Sequence, residues 1–125
     1  MDVEALLRRL GEAVGSRDHE ATLALFAPDA SVVFVGSEAG EQAFGWAELR
    51  AWLDHVYARP IAFRWEWSRI ETSSRGDVVW FLADGDVVET VGASESRTAY
   101  RMSGVAYGSP PLLALVHGSE PVAPK

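Results

Sequence analysis

Four residues in the second half of the chain have the types and spacing that proton transfer on an apolar substrate would use: Asp84 and Asp86, then Tyr100 and His117. A carboxylate held in a dry site gains proton affinity and can act as a base, while a phenol or an imidazole donates to oxyanion charge as it develops. Trp65, Trp67, Trp80, Leu82, Met102 and Leu115 supply side chains of the kind that wall an apolar pocket. Each of these residues also has a plainer reading. Asp86 is either a base or a solvated aspartate at a bend, and Asp84, placed before a glycine, is ordinary turn chemistry. His117 and Tyr100 are either catalytic donors or satisfied structural groups, and the tryptophans fill a core before they offer a ligand platform.

Whether these residues meet depends on the strands that carry them. Residues 76–91 place β-branched and aromatic side chains on both parities, the pattern of a strand covered on two faces. Such a strand would run about 50 Å if straight, so it either bends or turns, and Gly85 is the place for a bulge or for a hairpin. Residues 61–68 alternate, with Ile61, Phe63, Trp65 and Trp67 on one side, and two further strands follow over 95–107 and 112–119. The turns set the register. A turn over 92–94 places Glu89 opposite Arg97, Asp86 opposite Tyr100 and Asp84 opposite Met102; one over 108–111 places Met102 opposite His117; one over 73–76 adds Trp65 and Trp67 to that face. The other face then carries Val79, Phe81, Val87, Val105, Tyr107 and Val116, an apolar surplus suited to a homodimer contact.

Ahead of the strands lie three helical segments. Asp2 caps a helix with Val3, Leu6, Leu7, Leu10 and Val14 on one stripe, ended by Gly15; Asp18 caps a shorter one carrying Ala21, Leu25 and Phe26, stopped by Pro28. A short strand at 31–35 and a glycine-rich loop at 36–40 precede a third helix over 46–57, closed by Pro60. Helices first and a meander of antiparallel strands afterwards specify an α+β fold, with the helices gathered on one side of the sheet.

Composition narrows the function classes. The 125 residues suit one domain, 1–125, with an irregular tail at 121–125. No cysteine occurs, and three dispersed histidines have no ligand spacing, so no metal site is expected. No phosphate loop, nucleophile elbow or dinucleotide fingerprint is present, and no cofactor is expected. A net charge of −7 with one lysine argues against nucleic acid, and the lack of a membrane-length apolar run or a signal-peptide layout points to a soluble, cytoplasmic protein.

Residues 26–36, then Glu41 and Gly45 before a helix, then Asp77-Val78-Val79-Trp80 and finally residues 117–121, resemble in order and spacing the SnoaL-like branch of the nuclear transport factor 2-like, ketosteroid isomerase-like superfamily. The resemblance implies a cone: a strongly curved, mostly antiparallel sheet wrapped around N-terminal helices, an apolar cavity inside and frequent dimerisation through the sheet. It favours a bent strand over a hairpin at Gly85. It implies no single reaction, since such domains serve as isomerases, cyclases, hydrolases, dehydratases and binding or assembly modules. The expected function is therefore a pocket for a small, largely apolar molecule, with cofactor-free acid–base catalysis, simple ligand binding and dimerisation as the alternatives.

Overall fold

The computed structural model describes residues 2–124. Helix α1, Val3–Gly15, begins where the Asp2 carboxylate accepts the Ala5 N–H at 2.8 Å, and its buried stripe is Val3, Leu6, Leu7, Leu10 and Ala13. Helix α2, His19–Leu23, is capped in the same way by Asp18, which accepts from Ala21 at 3.0 Å. Between the two, Arg17 adopts φ 54° and donates to the Arg59 carbonyl at 2.7 Å, tying this corner to the end of α3, Trp46–Tyr57. Leu25 and Phe26 lie beyond the end of α2 and are buried, so this helix is shorter than its apolar pattern suggests.

Six strands follow the helical hairpin: β1 Val33–Val35, β2 Gln42–Phe44, β3 Ala62–Arg75, β4 Val78–Val91, β5 Ser94–Tyr107 and β6 Leu112–Ser119. They form one open sheet in the order β2-β1-β6-β5-β4-β3, antiparallel except where β1 runs parallel to β6. The expected α+β architecture is present. Strand β2 has no sequence signature of its own, because three residues are too few to show a period; pairing with β1 makes it a strand. No helix among the described residues is long and apolar enough to cross a membrane.

β4 runs continuously through Gly85. The irregularity lies on its neighbour, where the register of β3 shifts between Trp67 and Arg69, opposite Gly85. The two backbones come so close there that a Cβ on Gly85 would collide with the Glu66 carbonyl oxygen, which makes glycine a steric requirement of the bend.

The hairpin registers differ from expectation. β4 and β5 join through two residues, Gly92 and Ala93, with Gly92 at φ 57°, so that Val91 pairs with Ser94. A three-residue turn over 92–94 would have moved every pair by one. Asp86 instead faces Ala99, Asp84 faces Arg101, and Gly85 faces Tyr100. β3 and β4 likewise join through Gly76 and Asp77, since β3 extends to Arg75. The turn over 108–111 is as expected, with Tyr107 opposite Leu112, but a shift between Val105 and Ala106 then places His117 opposite Ser103 and Met102 opposite Gly118.

Candidate functional site

The inner face of the sheet, the helices and the 36–41 loop enclose a cavity of ≈ 170 Å³. Its apolar wall comes from Leu49, Trp52, Leu53 and Val56 of α3, from Phe63 and Trp65 of β3, and from Leu10, Phe26, Phe34 and Val87. Ser37, Glu38, Glu41, Arg59, Glu89, Tyr100 and Glu120 add polar groups to the lining. Tyr57 lines it as well, and its proton is committed: the Thr22 hydroxyl donates to the Asp18 carbonyl at 2.7 Å, so the Tyr57 hydroxyl, 2.8 Å from the Thr22 oxygen, is the donor of that pair.

The loop holds Glu41 in place. Gly36 donates its N–H to the Glu41 carbonyl at 2.7 Å, and the Glu38 N–H donates to the Glu41 carboxylate at 2.7 Å. The carboxyl lies against Gly36, where a Cβ would come within 2.8 Å of Oε1. Burial lifts the Glu41 carboxyl above the ordinary range, and the charges of Glu38 and Glu120 add to this; the Glu38 N–H and Arg59 act the other way. Tyr100 is pushed up to about 12, by burial first and then by the negative charge of Glu41. Its phenol therefore stays protonated and able to donate throughout the physiological range.

The residues singled out from the sequence divide between the two faces. Tyr100 and Trp65 line the cavity; Trp67 stacks on Trp65 with ring centroids 6.1 Å apart, and Met102 is buried in the core beside them. Trp80, Leu82, Asp84, Asp86, Leu115 and His117 are on the outer face, because the two-residue turn and the shift in β6 change their pairing. There Asp86 accepts from Arg97 at 3.2 Å, and Asp84 lies 3.8 Å from Arg101. Conversely, Phe81, Val87 and Val116, expected outside, are buried, and Val79 packs against the core. Among the described residues no group of histidine and acidic side chains has the arrangement to hold a metal ion.

The family model described as a SnoaL-like domain matches residues 3–107. The chain belongs to the SnoaL-like family. Solved structures share its fold at low sequence identity. A proposed dehydratase of the NTF2-like family from Streptomyces avermitilis has a TM-score of 0.86 at 16% identity, over 97% of this chain and 95% of that one. A proposed aromatic ring hydroxylase from Novosphingobium aromaticivorans gives 0.82 at 16%, over 97% and 87%. A proposed calcium/calmodulin-dependent protein kinase type II association domain from Thiobacillus denitrificans gives 0.79 at 20%, over 95% and 94%. No curated protein matches the sequence. Identities this low establish the fold alone, and names of enzymes and of an association domain on one fold leave the chemistry of a SnoaL-like chain to its own site.

Sequence reasoning did not place Glu41 in the cavity lining, nor Glu38, Glu89, Glu120 and the α3 aromatics Trp52 and Tyr57. Glu41 did carry a signal. It is one of the residues on which the SnoaL-like resemblance rests, and it follows a glycine-rich loop that could fold a carboxylate inward. Glu120 has no such mark, since it lies past the last strand and meets the cavity only through tertiary closure, its carboxylate accepting from Ser37 at 3.3 Å.

Proposed function

We propose that this SnoaL-like chain binds a small, largely apolar molecule in the inner cavity and carries out cofactor-free acid–base chemistry on it, with Glu41 as the proton-transfer group and Tyr100 as the hydrogen-bond donor. The observation that carries the reading is a partly buried carboxyl of raised proton affinity sharing one cavity with a protonated phenol and apolar walls. A base works best when its proton affinity is tuned toward the working pH, and burial moves Glu41 in that direction. Tyr100 would donate to negative charge forming on a substrate oxygen. The cavity volume limits the substrate: about 150 Å³ holds a benzene ring, so ≈ 170 Å³ suits a single ring or a compact branched molecule better than a steroid-sized one.

The test uses the tryptophans in the wall. Ligands of this size should quench the fluorescence of Trp52 and Trp65, and Glu41→Gln should keep that binding within a few-fold while abolishing turnover of any substrate found. A Glu41 carboxyl that titrates in the ordinary range by nuclear magnetic resonance would remove the catalytic half of the proposal and leave a binding domain.

A second reading has its own observation. Trp80 and Leu82 are 45% and 47% exposed on the outer face, where Trp80 pairs with Val105 and Val105 with Leu115. We propose this patch as the contact between two copies of the chain, isologous and centred on β4 and β5. Sedimentation should give a dimer for the parent and a monomer for Leu82→Glu; a monomeric parent at high micromolar concentration removes this reading.

A further inference from the structure

The cavity lining has an unusual charge balance for a pocket walled by aromatic rings. Four carboxylates, Glu38, Glu41, Glu89 and Glu120, line it, against one cation, Arg59. Among the described residues none of the four has an arginine, lysine or histidine nitrogen within ion-pair distance, whereas on the outer face Glu66, Asp84, Asp86 and Glu95 all do. Arg59 attracts Glu41 without closing an ion pair. The same cavity is walled by Phe34, Trp52, Tyr57, Phe63, Trp65 and Tyr100. Aromatic faces present negative charge and attract cations, most strongly where water is excluded; the half-buried Glu41 and Glu89 reinforce that field from the wall, and the exposed Glu38 and Glu120 add to it from the solvent side.

We propose that the cavity selects small organic cations, amines or quaternary ammonium ions with an apolar surface, over neutral molecules of the same shape. This rests on the reading of the cavity as a ligand site and adds the charge of the ligand. A quaternary ammonium group meets both demands of the lining. Its methyl groups pack on the aromatic walls, and its diffuse positive charge answers the carboxylates without requiring a directed hydrogen bond. A neutral ligand would leave the negative lining uncompensated, and an anionic one would be repelled.

The probes are choline and 3,3-dimethylbutan-1-ol, which differ in replacing the ammonium nitrogen by carbon and are close in size to the benzene that a cavity of about 150 Å³ admits. Binding to the full chain is read from tryptophan fluorescence and from the indole N–H resonances. Choline is expected to bind at least about tenfold more tightly than the alcohol, the cation–π contact and the carboxylate field acting together. In Glu38→Gln/Glu89→Gln, choline should lose about threefold of that advantage, the share the carboxylates supply, while the aromatic walls keep the rest and the alcohol binds as before. Equal binding of the two probes to the parent overturns the charge selectivity and leaves the pocket reading standing. Binding of neither at millimolar concentration overturns both. An unchanged choline preference in the double variant assigns the preference to something other than this lining and overturns the argument made from it.

Discussion

The two faces of β4 are built from alternate residues of one strand and do different work. Phe81 and Ala83, 4% and 0% exposed, look into the core, while their neighbours Trp80 and Leu82 stand about half exposed on the other side. The inner face leads on to Val87, Glu89 and the cavity; the outer face leads on to Asp84 and Asp86 with their arginine partners. Both faces are rich in apolar residues, so hydrophobicity does not separate them. What separates them is closure: the inner face meets helices and a loop that remove water from its polar groups, and the outer face leaves its charges to be neutralised by solvent and by each other. Burial raises proton affinity at Glu41 and Tyr100 for that reason.

The largest expected effect contrasts adjacent residues. Phe81→Glu places a carboxylate in the core, which costs several kcal/mol against a total stability on the order of 5–15 kcal/mol, and the chain should fail to fold. Leu82→Glu should remain folded. Circular dichroism melting of the two variants checks this directly, and similar melting temperatures would mean that the faces had been assigned the wrong way round.

A middle-sized effect tests the same contrast on β6. Gly118 lies beneath Tyr100, where a Cβ would collide with the phenol, its Cζ only 2.6 Å away. Gly118→Ala should destabilise by about 1–3 kcal/mol through overpacking and displace the Tyr100 ring from the cavity wall. His117→Ala, one residue earlier and on the outer face, should change stability by less than about 0.5 kcal/mol. Chemical denaturation gives both numbers, and a more costly His117 substitution would break the comparison.

How much of this could be read from the sequence depends on which interactions are local. Helix caps at Asp2 and Asp18 and the spans of α3 and β6 were legible because neighbours in the chain determine them. Register was not. Gly92 starts a two-residue turn as readily as a three-residue one, and that one residue exchanges the faces of everything beyond it. The shifts near Ala114 and beside Ser68 have their glycines, Gly104 and Gly85, on the partner strand, so the sequence marks a close approach without saying which strand takes the extra residue. The grouping suffered accordingly: Tyr100 and Trp65 line the cavity, Asp86 and His117 lie on the opposite face, and Glu41, in the cavity lining, was not among the residues singled out.

A smaller effect follows from the proton affinity of Glu41. The folded chain holds this proton to higher pH than the unfolded chain does, so its contribution to stability falls as pH rises from the ordinary carboxylate range through the raised value. Glu41→Gln removes that dependence. Variant and parent should differ least at low pH, where both side chains are neutral, and the variant should be the more stable at neutral pH. Melting temperatures of the pair across this range provide the measurement, and a constant difference would mean that Glu41 is solvated.

The smallest expected effect belongs to Asp86, the residue that a one-residue slip would have made a base. Its carboxylate shares Arg97 with Glu66, and Arg97 lies 2.6 Å from Glu66 and 3.2 Å from Asp86, so the arginine keeps its closer partner when Asp86 is neutralised. Exposed pairs of this kind contribute little, because water screens the charges and fixing two long side chains costs entropy. Asp86 also lies outside the cavity lining. Asp86→Asn should therefore leave ligand-induced tryptophan quenching unchanged, and turnover too where Glu41→Gln abolishes it. A loss of turnover in Asp86→Asn at unchanged affinity would mean that β5 pairs with β4 in the other register in solution, exchanging the two faces and moving the acid–base site to the side of the sheet where Trp80 and His117 stand.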